Sequence, residues 1–185
     1  MKELSLNILD IAENSVKAKA TDITIKITEN EEKLSFSILD NGVGMEKHFL
    51  ESVTNPFTTT RTTRPVGLGI PLLKMSAEQT GGSMEIESKY YKDYPDTHGT
   101  LISATFFKKH IDFVPLGNII ETIVTLIQGN PDIDFVFTHK IGDKSVCLDT
   151  KELKTVLGDV PLNNIEVILW LKEFLDEQYN NCNLT

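Results

Sequence analysis

The sequence predicts an α+β fold, and three patterns predict it. Residues 2–17 repeat apolar side chains at helical spacing, with Leu4, Ile8 and Ile11 on one face. Residues 22–28 and 34–40 alternate apolar and polar side chains across a short polar loop, which is how a half-buried hairpin reads. A second alternating pair, residues 84–90 and 101–107, follows a further helical stretch.

In order, the opening helix carries two stripes. Its apolar face continues to Ser15, while Asn7, Asp10 and Asn14 recur on another face. Two amides and a carboxylate make an unusual wet side, which more often mixes Lys with Glu. Residues 18–22 form the turn into the first strand, where Ile23, Ile25 and Ile27 point inward. The second strand ends in Asp40-Asn41-Gly42-Val43-Gly44-Met45, the stretch that organises the chain. It sets a carboxylate at a strand end. The two glycines lack Cβ and accept positive φ, so backbone can approach a planar ligand. Asp-Asn-Gly is also a common turn, and by itself the stretch decides nothing.

Residues 46–52 read as a short helix and the Thr-rich residues 55–64 as a loop. Pro65-Val66-Gly67-Leu68-Gly69-Ile70-Pro71 opens a helix to about Gln79, with Pro71 in the first turn and Gly81-Gly82 as the stop. A polar loop, residues 92–99, joins the last two strands. Beyond Lys108-Lys109 the pattern changes to a helix over 115–128, a hairpin over 134–138 and 145–148, and helices over 151–157 and 163–178. The expected boundary lies near 109–114, giving residues 1–110 as one domain and 111–185 as a small α+β appendage.

Composition narrows the classes. The 185 residues are 40% apolar and 24% charged, ordinary for a soluble globular chain. A formal charge of −9 argues against a general nucleic-acid binder, which needs clustered Lys and Arg. No apolar run has the length of a membrane span, and the N-terminus lacks the apolar core of a signal peptide. Cys147 and Cys182 have no partner spacing and read as free thiols of a cytosolic protein.

Taken together, the motifs of residues 1–108 resemble the GHKL (Bergerat-fold) ATP-binding domain of gyrases, large heat-shock chaperones, sensor histidine kinases and MutL proteins. Asp10-Ile-Ala-Glu13-Asn14-Ser15-Val-Lys17-Ala18 resembles its N box, and Asp40 to Gly44 its G1 box. Pro56-Phe57-Thr58-Thr59 resembles the histidine-kinase F box and Gly67-Leu68-Gly69 the G2 box. Gly99-Thr100 is similar to the last short box. The resemblance implies a two-layer α/β sandwich, with a mixed, mostly antiparallel sheet and helices on one face.

It also implies ATP and Mg²⁺ as ligands. Asn14 offers a neutral side-chain oxygen to Mg²⁺, a hard cation that shares oxygen ligands with substrate phosphates. Asn7 and Asp10, on the same stripe, can face the same triphosphate. Lys17 could touch a phosphate as a point charge, or be a solvated lysine. Asp40 would accept the exocyclic amine of adenine, with Gly42 and Gly44 shaping the loop beside it. Thr100 would support the same edge, as the resemblance implies. Gly67, Leu68 and Gly69 offer backbone N–H groups at a helix N-terminus, a ready anion site. Arg61 and Arg64 sit on the loop that would close over the γ-phosphate, or are plain surface charge.

The chain departs from the family in three places. Hydrolysing members carry Glu four before the Asn, where Asp10 is shorter by a methylene, so hydrolysis is expected to be slow or absent. Pro65 replaces the first glycine of the usual G2 run, and the lid is short. No phosphoacceptor helix is expected upstream. His48, His98, His110 and His139 are read as structural or surface histidines. Three functions follow in order of preference. The first is an ATP-dependent regulatory switch for a protein partner or homodimer, held through the C-terminal region. The second is a small protein kinase resembling the anti-sigma serine kinases. The third is a slow ATPase coupled to dimerisation, with Asp10 as its possible base.

Overall fold

The computed structural model describes residues 3–53 and 69–183. The elements run α1 (Leu4–Lys17), β1 (Asp22–Glu29), β2 (Lys33–Asp40), α2 (Lys47–Val53), α3 (Gly69–Gln79), β3 (Ser83–Lys89) and β4 (Gly99–Phe107). Then follow α4 (Ile119–Gly129), β5 (Asp134–Ile141), β6 (Lys144–Asp149), α5 (Thr150–Leu157) and α6 (Ile165–Asn183). The strands form one sheet in the order β3-β4-β2-β1-β5-β6, antiparallel throughout except for β1 beside β5. This is the expected mixed, mostly antiparallel sheet of the two-layer α/β sandwich.

Period-two alternation buries one sheet face. Ile86, Ile102, Ile38, Ile25, Phe137 and Leu148 stand side by side across all six strands. Burying such a row removes apolar area from water at roughly 25 cal/mol per Å². Leu4, Ile8 and Ile11 of α1, Leu73 of α3, Ile123 and Ile127 of α4 and Leu171 and Leu175 of α6 join the same core.

The C-terminal α+β residues share that sheet. Within residues 111–185, β5 pairs with β1 along its whole length, from Asp22↔Asp134 to Glu29↔Ile141. Parallel neighbours need a long crossover, here the 108–118 segment and α4, and no local sequence pattern announces one. The helix expected from residue 115 starts at Ile119. Gly117 has φ +79, outside the helical region, and Asn118 caps α4 by accepting from the Glu121 N–H at 3.0 Å. The extended residues before it cover the start of α1: Leu4 N donates to Pro115 O at 2.9 Å and Ser5 N to Leu116 O at 2.7 Å. Two orphan donors of that helix end are thereby satisfied.

A polar knot ties β1 and β5 to α6. Glu29 lies against the Lys108 ammonium and 3.5 Å from His139 Nε2, and His139 Nδ1 meets the Tyr179 hydroxyl at 2.8 Å. The His139 ring and then Lys108 hold the Glu29 carboxyl down, from 4.5 to about 2, against the opposing effect of burial. Burial pushes the Tyr179 hydroxyl up, so it stays a neutral partner. Because the folded pKa is depressed, the stability from Glu29 is fully present above pH 4.5 and is lost as pH falls toward 2. Urea midpoints measured through that window should fall more steeply for the parent protein than for Glu29→Gln. Equal slopes would show that Glu29 is not the group concerned.

Candidate nucleotide site

The site is built where the apolar rows of the sheet give way to a polar one. Ser88, Thr100 and Asp40 lie side by side at the ends of β3, β4 and β2, one step beyond the Ile86–Ile102–Ile38 row. Alternation puts Asp40 on the core face, and it is 7% exposed. A buried carboxylate needs donors. Its Oδ1 accepts from Gly42 N at 2.9 Å and Thr100 N at 3.3 Å, and its Oδ2 from Ser15 Oγ at 2.6 Å. A carboxylate has about four lone-pair sites. The one left is on Oδ2, the oxygen shared with α1.

The loop after Asp40 is fixed from three sides. Asn41 Oδ1 accepts from Thr21 N and Asp22 N at 2.9 and 3.0 Å, clamping the loop to the α1–β1 turn. Val43 N donates to Ala18 O, and Tyr91 N donates to Val43 O, each at 2.9 Å. His98 Nδ1 lies 2.6 Å from Gly42 O. Gly44 takes φ +67 with its backbone pressed on β3, where a Cβ would fall 1.9 Å from Lys89 O. Ser88 Oγ accepts from Met45 N at 2.8 Å and lies 2.9 Å from Thr100 Oγ1. The Thr100 hydroxyl therefore serves Ser88, while its N–H is what touches Asp40.

The second wall is α1 beside the start of α3. A Cβ placed on Gly69 would sit 3.6 Å from Asp10 Cβ and 3.8 Å from its Oδ2. The exposed Asp10 thus borders the N-terminus of α3, where free N–H groups favour an anion. That contact would also stabilise α3 if Asp10 did nothing else. Asn14, half-buried, lies one turn on, and Lys17 is exposed in the last turn of α1.

Asn7 is the first amide of the α1 stripe. It is 2% exposed, and its Nδ2 has no hydrogen-bond partner among the described residues. The first turns of α1 are covered by residues 115–116 and by α4, whose Thr122 hydroxyl donates to Ser5 O at 3.4 Å. In the turns that follow, Asp10 is exposed and Asn14 half-buried. Arg61, Arg64, Gly67 and Leu68, with the F-box stretch, lie outside the described residues. Ser15, Ser88, Asn41, His98 and Gly99 also frame Asp40 and its loop, although the sequence alone gives none of them a role there. Ser15 had a signal, since a hydroxyl interrupts the apolar face of α1 where a hydrophobe is expected. Among the described residues no cluster of three His, Cys, Asp or Glu could hold a metal alone, so Mg²⁺ here would need phosphate oxygens beside Asn14. Among them, too, no helix is long and apolar enough to cross a membrane.

Comparison with known proteins points the same way. The family described as histidine kinase-, DNA gyrase B-, and HSP90-like ATPase matches residues 2–110. Sensor protein KdpD of Clostridium acetobutylicum is 30% identical over 94 residues, covering 48% of this chain and 10% of that protein. A putative sensor histidine kinase, NtrY-like, of Rickettsia bellii is 25% identical over 107 residues, 57% of this chain and 16% of that one. The match thus spans a small part of the length of those proteins. In structure the chain is similar to the Aquifex aeolicus MutL ATPase domain complexed with ADP, with TM-score 0.55 and 13% identity. That likeness covers 94% of this chain and 88% of the other, and it bears on the fold alone.

Proposed function

Because the chain belongs to the family of histidine kinase-, DNA gyrase B- and HSP90-like ATPases, we propose that it binds Mg-ATP between β2, α1 and α3. We propose further that it acts as an ATP-dependent regulatory switch for a protein partner. The observation that carries the reading is Asp40: a buried carboxylate with three donors satisfied and one acceptor site left on the side of α1. That free site suits the exocyclic amine of adenine, whereas the keto oxygen of guanine would be repelled. The phosphates would then run toward the α3 N-terminus at Gly69, and Asn14 would give its side-chain oxygen to Mg²⁺. When bound, Mg²⁺ would neutralise phosphate charge and fix the geometry of the triphosphate.

Asp10 supports a switch over a fast hydrolase, since its short side chain already borders α3. Its exposure favours one second reading, a protein kinase in which Asp10 orients the hydroxyl of an acceptor protein. The partner, or a second copy, would be held through residues 111–185.

The test is calorimetric titration with ATP and ADP, with and without Mg²⁺, followed by phosphate release and by partner association under each nucleotide. Tight binding with slow release and nucleotide-dependent association is the expected result. Association indifferent to nucleotide rejects the switch. Release that vanishes in Asp10→Ala while binding survives would make the protein an ATPase, and γ-phosphate transfer to another protein would make it a kinase. Asn14→Ala should weaken Mg-ATP binding by about 100-fold, because a ligand to a charged group is lost. Its unfolding free energy should change by under about 0.5 kcal/mol, as no described structural bond uses that side chain.

A further inference from the structure

Away from the nucleotide site, β5, β6, α5 and α6 enclose an open groove of about 300 Å³. Phe137, Leu148, Leu153, Val156, Trp170 and Phe174 line it. Trp170 stacks on Phe174 with ring centroids 4.9 Å apart. Val156 is 83% exposed and Trp170 45%, and both line this one groove rather than standing as scattered single residues.

The charged side chains that line it have one sign. Asp149 and Glu152 also line the groove. On α6, Glu166, Glu173 and Glu177 are exposed and recur with Trp170 at helical spacing, so they flank it along one stripe. That helix holds four carboxylates against one lysine, and the lysine, Lys172, is bound to Glu121 at 2.9 Å. On α5, Lys154 is held by Asp134 at 2.7 Å.

The outer edge of β6 does not invite an added strand. Gln178 of α6 covers it: Nε2 donates to Cys147 O and Oε1 accepts from Cys147 N, each at 3.0 Å. Strand pairing there would have to displace both bonds. A partner must therefore insert side chains rather than backbone.

We infer that this groove docks an amphipathic helix of a protein partner, with its apolar face against Trp170 and Val156 and its Lys/Arg face on the carboxylate rim. The inference rests on the partner half of the function proposed above and is independent of the nucleotide half.

Trp170 is the only tryptophan in the chain, so its emission reports on the groove. The probe is a synthetic amphipathic helix of leucine and lysine, and the control is its leucine and glutamate counterpart, each titrated into the full chain. The emission should shift to the blue with the first peptide and stay unchanged with the second. By anisotropy of the labelled peptide, Val156→Lys and the pair Glu166→Lys/Glu173→Lys should each weaken binding by about tenfold. Glu85→Lys, on β3 at the opposite sheet edge, should not. The inference is overturned if neither peptide binds, if both bind alike, or if the groove variants bind like the parent. It is also overturned if sedimentation finds a dimer that Val156→Lys converts to monomer, for then the occupant is a second copy. Calorimetry with ATP on Val156→Lys should match the parent, which separates failure of the groove from failure of the nucleotide reading.

Discussion

Asp40→Asn is expected to lower ATP affinity by about 100-fold while leaving the protein folded. The oxygen of the amide can keep the place of Oδ1, accepting from Gly42 N and Thr100 N. The amide nitrogen then replaces Oδ2. Ser15 adapts by rotating its hydroxyl to accept, since a hydroxyl both donates and accepts. Adenine cannot adapt, because its amine now faces another amine. Loss of a hydrogen bond to a charged acceptor costs about 1.5–3 kcal/mol, and the unpaired donors add to it. Inosine triphosphate presents a keto oxygen at that position and should gain relative to ATP. Calorimetry with both nucleotides checks this. An Asp40→Asn protein that binds ATP like the parent would remove Asp40 from adenine recognition.

That outcome depends on contacts of very different visibility in the sequence. Asp40, Gly42 and Gly44 were legible because the pattern is local: an acid ends an alternating strand and two glycines follow. Asp10 and Asn14 were legible as a stripe on one helix. Asn7 belongs to the same stripe yet is buried, which the spacing alone does not announce. Ser15 and Ser88 act across 25 and 12 positions of sequence, reaching Asp40 and Thr100; the hydroxyl on the apolar face of α1 hints that Ser15 has a partner, but neither neighbourhood says which. The parallel pairing of β5 with β1 was hidden for a related reason. Its strands read only as a local hairpin, and the pleat that aligns Phe137 with Ile25 exists only once α4 has crossed over the sheet.

Gly99→Ala should do the converse of Asp40→Asn, removing the frame while keeping every polar group. Gly99 opens β4 at φ +139, a conformation that side chains rarely adopt. A Cβ there would lie 1.9 Å from Asp40 O and 3.1 Å from Asn41 Cα, both backbone atoms without a rotamer to yield. Either β4 withdraws from the end of β2 or the loop after Asp40 shifts. Thr100 N would then leave Asp40 Oδ1, and Ser88, which donates to Gly99 O at 3.1 Å, would lose its hold on Met45. Left-handed strain and overpacking together cost about 2–5 kcal/mol. The urea midpoint should fall accordingly and nucleotide binding should fall with it, whereas Asp40→Asn should lose binding at a nearly unchanged midpoint. If Gly99→Ala kept both its midpoint and its affinity, the close approach of β4 to the end of β2 would not be what positions the carboxylate.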